Sequence, residues 1–154
     1  MSYENWVKNS WLDKQSSDRE EIGRLLGIAD ARLDDYRKAV KGKLSTDVQL
    51  GLAYDAARAS ATAALRAAGY RVVRGSSEHY RTIEALEFSI DPEKKIIRTL
   101  DTLRRKRNTG AYDDYGLVSQ GEADHAGKVA AQVRTQVEAG FGKILRTKSE
   151  WTRI

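Results

Sequence analysis

Alanine occupies nine of the sixteen positions from Ala53 to Ala68, and this run constrains the fold more than any other feature of the chain. Alanine is the best helix former, and its small side chain lets a neighbouring helix approach closely. The run therefore predicts a helix from about Asp47 to Ala68 at the centre of a helical bundle. Gly69 is placed to stop it. Leu44-Ser45-Thr46-Asp47 supplies its start.

Helix signals continue on both sides. Ser17-Asp18-Arg19-Glu20 reads as a capping box, followed by Ile22, Leu25, Leu26, Ala29, Leu33, Tyr36 and Val40 at helical spacing, with Gly42 as the stop. Tyr70–Ser77 reads as a connector, where two β-branched residues allow a short strand and Gly-Ser-Ser favours a loop. Tyr80, Ile83, Leu86 and Ile90 give an apolar side to a helix from Glu78 to Ser89. Asp91-Pro92 predicts a helix start, with Asp as cap and Pro at the first helical position, and that helix stops near Asn108–Gly110. Ser119-Gln120-Gly121-Glu122 is a further capping box, opening a last helix through about Ala139. The expected class is all-α, an antiparallel bundle of four to five helices joined by short loops. Residues 17–145 form the bundle, with an N-terminal extension at 1–16 and a C-terminal tail at 146–154. Trp6, Trp11 and Trp151 all fall in these flanks, where they either cover the bundle ends or form a partner surface.

Composition narrows the chemistry. There is no Cys, and the two histidines, His79 and His125, are 46 residues apart. No disulfide, metal site or cofactor is expected, and a cytoplasmic setting follows. No apolar run approaches the ~18 residues of a membrane span, and no signal peptide opens the chain. The net charge of +5 is localised. Glu93–Arg107 holds seven cations against two acids, while the rest of the chain balances. Such a patch points to an anionic partner, although basic residues also favour a helix C-terminus.

On a helical wheel, Ile96, Leu100, Leu103 and Arg107 share an arc of about 60°, with Arg104 beside it. Lys94, Arg98 and Arg105 fall on the opposite, solvated face. Arg104 and Arg107 therefore sit either at the rim of the core or in a groove with a partner. Arginines that bury their stems and reach for solvent give the same pattern. The cluster Lys94, Arg98, Arg104, Arg105 and Lys106 suits phosphate oxygens. Asn108-Thr109-Gly110 is expected to turn the chain and bring Tyr112, Asp113 and Tyr115 back towards Arg107. Those tyrosines could stack on bases, and Asp113 and Asp114 could hold or neutralise the arginine.

Two stretches in this order resemble the HEPN superfamily of small helical bundles, over about residues 20–140. One is Ala53-Tyr54-Asp55-Ala56-Ala57-Arg58-Ala59, with Gly69-Tyr70-Arg71 and Gly75-Ser76-Ser77-Glu78-His79. The other is Arg107-Asn108-Thr109-Gly110-Ala111-Tyr112-Asp113. The resemblance implies a homodimer that brings both Arg-containing motifs to its interface. It also implies metal-independent RNA cleavage, often in toxin–antitoxin or defence systems, by an Arg, a polar residue and a His a few residues on. Arg107 and Asn108 match, and Tyr112 stands where the His belongs. A phenol with pKa about 10 does not move protons near neutrality as an imidazole near 6.5 does. The catalytic candidates are thus Arg107, Asn108 and Tyr112, with His79 as a substitute that could reach Arg107 across a dimer. Three functions follow: an RNA-binding module with a degenerate motif, an active metal-independent endoribonuclease, or a protein-interaction module without nucleic acid.

Overall fold

The computed structural model describes residues 2–75, 78–112 and 118–147, with the backbone alone at 108–112 and 142–147. The protein is mostly helical with one two-stranded sheet. In chain order the elements are α1 (Tyr3–Lys8), β1 (Leu12–Lys14), α2 (Arg19–Lys41), α3 (Thr46–Ala67), β2 (Tyr70–Val72), α4 (Glu78–Glu84), α5 (Lys95–Tyr112) and α6 (Gln120–Thr147). A 3-10 turn at Ala85–Phe88 continues α4. Among the described residues, no helix is long and apolar enough to cross a membrane.

The alanine-rich α3 is the helix the others pack on. Ser45 caps it by accepting from the Val48 N–H at 3.3 Å, and Gly69 at φ +95° turns the chain after it. Ala53, Ala56, Ala57, Ala61 and Ala63 are buried, with Leu50 above and Leu65 below. Helices α2 and α6 lie against α3, and α4 and α5 also contact it. Two polar contacts tie α2 to α6. Arg134 donates to both carboxylate oxygens of Asp30 at 2.8 and 3.0 Å, and the Tyr36 hydroxyl donates to the Ala123 carbonyl at 3.1 Å.

Several predicted boundaries move for physical reasons. The α2 cap is Asp18 rather than Ser17: its carboxylate accepts from the Glu21 N–H at 2.8 Å, and carboxylates are strong caps. Asp91 does cap α5, but from a distance. Its two oxygens accept from the N–H groups of Lys95 and Ile97 at 3.0 and 2.8 Å, while Pro92 stays in the turn and Lys94 takes φ +61°. The predicted stop and turn at Asn108–Gly110 is absent, since α5 runs on to Tyr112. A single glycine weakens a helix by about 1 kcal/mol without ending it. Helix α6 likewise passes Ala139 and reaches Thr147, because Phe141 is buried in the core. Its capping box is as expected, with Ser119 and Glu122 each accepting from the other's N–H.

The predicted loop at Tyr70–Ser77 is the largest correction. Tyr70–Val72 forms β2, paired antiparallel with β1 in the register Leu12↔Val72, Asp13↔Arg71 and Lys14↔Tyr70. The N-terminal segment thereby builds a second apolar cluster of Trp6, Leu12, Leu65, Val72 and Ala85. Tyr3 stacks on Tyr70 at 4.6 Å, Trp6 and Trp11 meet edge to face at 5.5 Å, and the Arg81 guanidinium lies 3.6 Å over Trp11. Trp6, 1% exposed, is a core residue and no partner surface. Trp151 lies outside the described residues.

Gly127 on α6 faces the Tyr36 ring so closely that a Cβ would overlap it. Alanine would gain up to about 1 kcal/mol in helix propensity, but overpacking costs about 1–3 kcal/mol and disturbs the Tyr36–Ala123 bond. Gly127→Ala is expected to lower the urea midpoint. An unchanged or raised midpoint would mean that the ring moves aside at no cost.

Candidate nucleic-acid interface

Helix α3 is buried over most of its circumference, but one stripe remains polar. Gly51, Asp55, Arg58, Thr62 and Arg66 are spaced four, three, four and four residues apart, which places them on one face within about 80°. Helix α5 runs beside this stripe. There the Arg107 guanidinium donates to Asp55 Oδ1 at 2.8 Å and lies 5.5 Å from the centre of the Tyr54 ring. Gly51, one turn earlier, leaves room for it, and a Cβ there would just touch Arg107 Nε at 3.9 Å.

The basic patch of the sequence proves to be matched by carboxylates. Asp101 accepts from both Arg104 and Arg105. Lys106 pairs with Glu122 and Arg107 with Asp55. Lys94 pairs with Glu87 at 3.4 Å and Lys95 with Glu93 at 3.1 Å, while Arg98 donates to the Glu93 carbonyl at 3.2 Å. Three of these acids, Asp55, Glu87 and Glu122, come from outside the basic segment, so seven cations meet five carboxylates. Burial opposes ionisation of Asp101, yet Arg105 and Arg104 overcome it and hold the carboxyl below its ordinary value. The division read from the wheel is seen in exposure: Arg105 is 70% exposed, Arg104 and Arg107 32% and 37%.

Arg104 and Arg107 open into a cleft of about 270 Å³ with Tyr54, Glu78, His79 and Tyr80. Tyr80 is exposed, and the Arg104 guanidinium stands 5.7 Å from the centre of its ring. Burial pushes the Tyr54 hydroxyl above its ordinary value, against the pull of Arg58, Arg104 and Arg107. His79, in the first turn of α4, enters the cleft within the same chain rather than across a dimer. Arg58 Nη1 lies 2.7 Å from its Nδ1 and 3.0 Å from its Nε2. A guanidinium only donates, so the imidazole accepts and is neutral. Desolvation lowers the His79 pKa, and the positive charges of Arg58 and Arg107 add to it against the opposing pull of Glu78 and Asp55. A neutral imidazole has one acceptor nitrogen, so Arg58 occupies the lone pair that proton uptake would need.

Asn108 and Tyr112 lie on α5, one and five positions beyond Arg107, and their side chains are outside the described residues, as are Asp113, Asp114 and Tyr115. His125 lines a different depression, between α5 and α6. No group of three or more His, Asp or Glu among the described residues is placed to hold a metal ion. Sequence reasoning missed Asp55 as the partner of Arg107, Tyr80 as a cleft residue and Arg58 as the donor to His79. The polar stripe within the alanine run was the signal that could have found two of them. Comparison with protein-family models, curated proteins and solved structures gives no match to this chain, so the chemistry of the cleft carries the functional reading.

In an NMR titration, His79 is expected to titrate below the ordinary 6.5, and Arg58→Ala is expected to move it upward. A His79 that titrates at or above 6.5, or that ignores the substitution, would remove the neutral imidazole from the site.

Proposed function

We propose that this protein is an RNA-binding module: a HEPN-like antiparallel bundle of four to five helices that acts as a cytoplasmic homodimer in a toxin–antitoxin or defence-type system. The observation that carries this reading is the cleft itself. It sets two carboxylate-oriented guanidiniums beside an exposed tyrosine ring and a neutral imidazole. Arg107 has five N–H donors, and one is spent on Asp55, which fixes the fork and leaves the others for phosphate oxygens. Tyr80 can stack on an unpaired base, a contact typically worth about 1–3 kcal/mol. The basic α5 face, with Lys94, Arg98, Arg105 and Lys106, would then follow the backbone of the strand. No cofactor is needed. A cognate antitoxin or other protein would bind elsewhere on the surface.

Tyr112 in the motif position favours binding over cleavage. One observation favours a second reading, that of an active metal-independent endoribonuclease. A neutral His79 shares the cleft with Arg107; on release from Arg58 it could accept the 2′-hydroxyl proton and, as imidazolium, pass it to the departing 5′-oxygen, while arginine stabilises the phosphorane charge. A protein-interaction module without nucleic acid has no comparable observation behind it.

The test is fluorescence anisotropy with a short single-stranded RNA between about 50 and 300 mM salt, across which the Debye length shrinks about 2.4-fold. Affinity should fall with salt, by about 0.7 in log slope for each phosphate neutralised. Arg107→Ala should weaken binding about tenfold and flatten the slope by about one contact, and Tyr80→Ala should weaken it without changing the slope. Salt-independent affinity would end the phosphate reading. Cleavage in EDTA that disappears in both Arg107→Ala and His79→Ala would select the nuclease instead.

A further inference from the structure

A second depression, of about 310 Å³, adjoins the cleft and shares Glu78 and His79 with it. Its cationic wall comes from a part of the sequence that the basic patch does not include. Arg58 and Arg66 belong to the polar stripe of α3, Arg71 to β2, and Arg74 follows directly after that strand. Its charge is less compensated than that of the α5 patch. Arg66 and Arg71 share one carboxylate, Glu21. Arg58 meets the neutral His79, and Arg74 makes no ion pair among the described residues. Four guanidiniums thus share the carboxylates of Glu78 and Glu21, with Asp13 opposite Arg71 on β1, and positive charge remains in excess. In addition, the Arg71 Nε–H is buried and has no acceptor among the described residues, a donor left unpaired at a cost. Three of the four arginines stand on regular elements, and β1 holds Arg71 in register opposite Asp13. The wall is therefore organised before any ligand arrives.

We propose that this depression is a phosphomonoester site, which takes the terminal phosphate of a strand lying in the neighbouring cleft; it rests on the RNA-binding reading for that source. The free donors decide the ligand class. A phosphomonoester brings about −1.5 to −2 and three acceptor oxygens at neutral pH, which suits Arg74 and the unpaired Arg71 Nε–H, whereas a diester inside a chain brings one negative charge and fewer free oxygens. The volume is near the lower end of small-ligand pockets, enough for a phosphate and part of its nucleoside. A strand running from the Arg107 cleft past His79 would end here. A free nucleotide presents the same chemistry, and the experiment separates the two sources.

The experiment compares, by anisotropy, one short single-stranded RNA bearing a 5′-phosphate, a 3′-phosphate or hydroxyls at both ends. A phosphate at one end should tighten binding to the wild type about tenfold. That ratio should fall to near one in Arg74→Ala, an exposed position where substitution spares the core, and in Arg58→Ala. It should persist in Arg107→Ala even as overall affinity drops. Equal binding of all three RNAs by the wild type overturns the end-phosphate site while leaving the RNA reading intact. If no RNA binds, that reading fails, and calorimetry with pyrophosphate and with ATP decides the pocket. Binding lost in Arg74→Ala assigns it to free nucleotides, and absence of binding overturns it.

Discussion

The molecule depends on the close approach that alanine permits along α3. With side chains this small, α2 and α6 both pack directly on the helix, and α4 and α5 cover further parts of it. Interiors packed this tightly do not accept larger groups without strain. Surrounding a helix in this way leaves few places for charged residues, and beyond the first turn they are confined to one line: Asp55, Arg58 and Arg66. The candidate site is where it is because this is the part of the central helix that its neighbours leave uncovered. Asp55 then has a second role, since it is the carboxylate that α5 must pass and the one that catches Arg107.

Charge behaves differently in the chain and in the fold. Along the sequence the whole excess sits in one segment of α5. In three dimensions Asp55, Glu87 and Glu122 are brought to that segment from elsewhere, and Asp101 holds two arginines at once. Pairs this exposed contribute little to stability, typically ~0–1 kcal/mol each, but they reshape the field around the molecule. The less compensated cations are those of the α3 stripe and of the connector after it. Electrostatic attraction thus extends from α5 to His79 and its surroundings rather than resting on the residues with the highest local charge density alone.

Much of the helical frame was legible because its signals are local. The alanine run, Ser45, Gly42, Gly69 and the Ser119–Glu122 box each act within one turn of chain. Local signals fail where a distant partner decides. Val72 reads as a loop residue until Leu12 is seen opposite it, and two three-residue strands carry no period of their own. Phe141 extends α6 because the core accepts it, and Gly110 alone does not end α5, which continues to Tyr112. In the site, Arg104, Arg107 and His79 were legible as residue types of the right chemistry, but their partners were not. Asp55 was hidden among alanines that argued for packing, and Arg58 was read as part of a helix rather than as the donor to His79.

The pairing of β1 with β2 has a consequence for how the molecule comes together. It joins Leu12 to Val72, so closing it requires all of α2 and α3 to be in place between the two strands. Loop-closure entropy makes such a contact among the costliest to form, and it is repaid only after local helices and their packing exist. The expected order of assembly is helix pairing around α3 first and strand pairing last. Arg71 sits on the strand that closes last, and Arg74 directly follows it. The proposed anion-facing wall is therefore completed only as the final act of folding, when residues 12–14 return to meet the middle of the sequence.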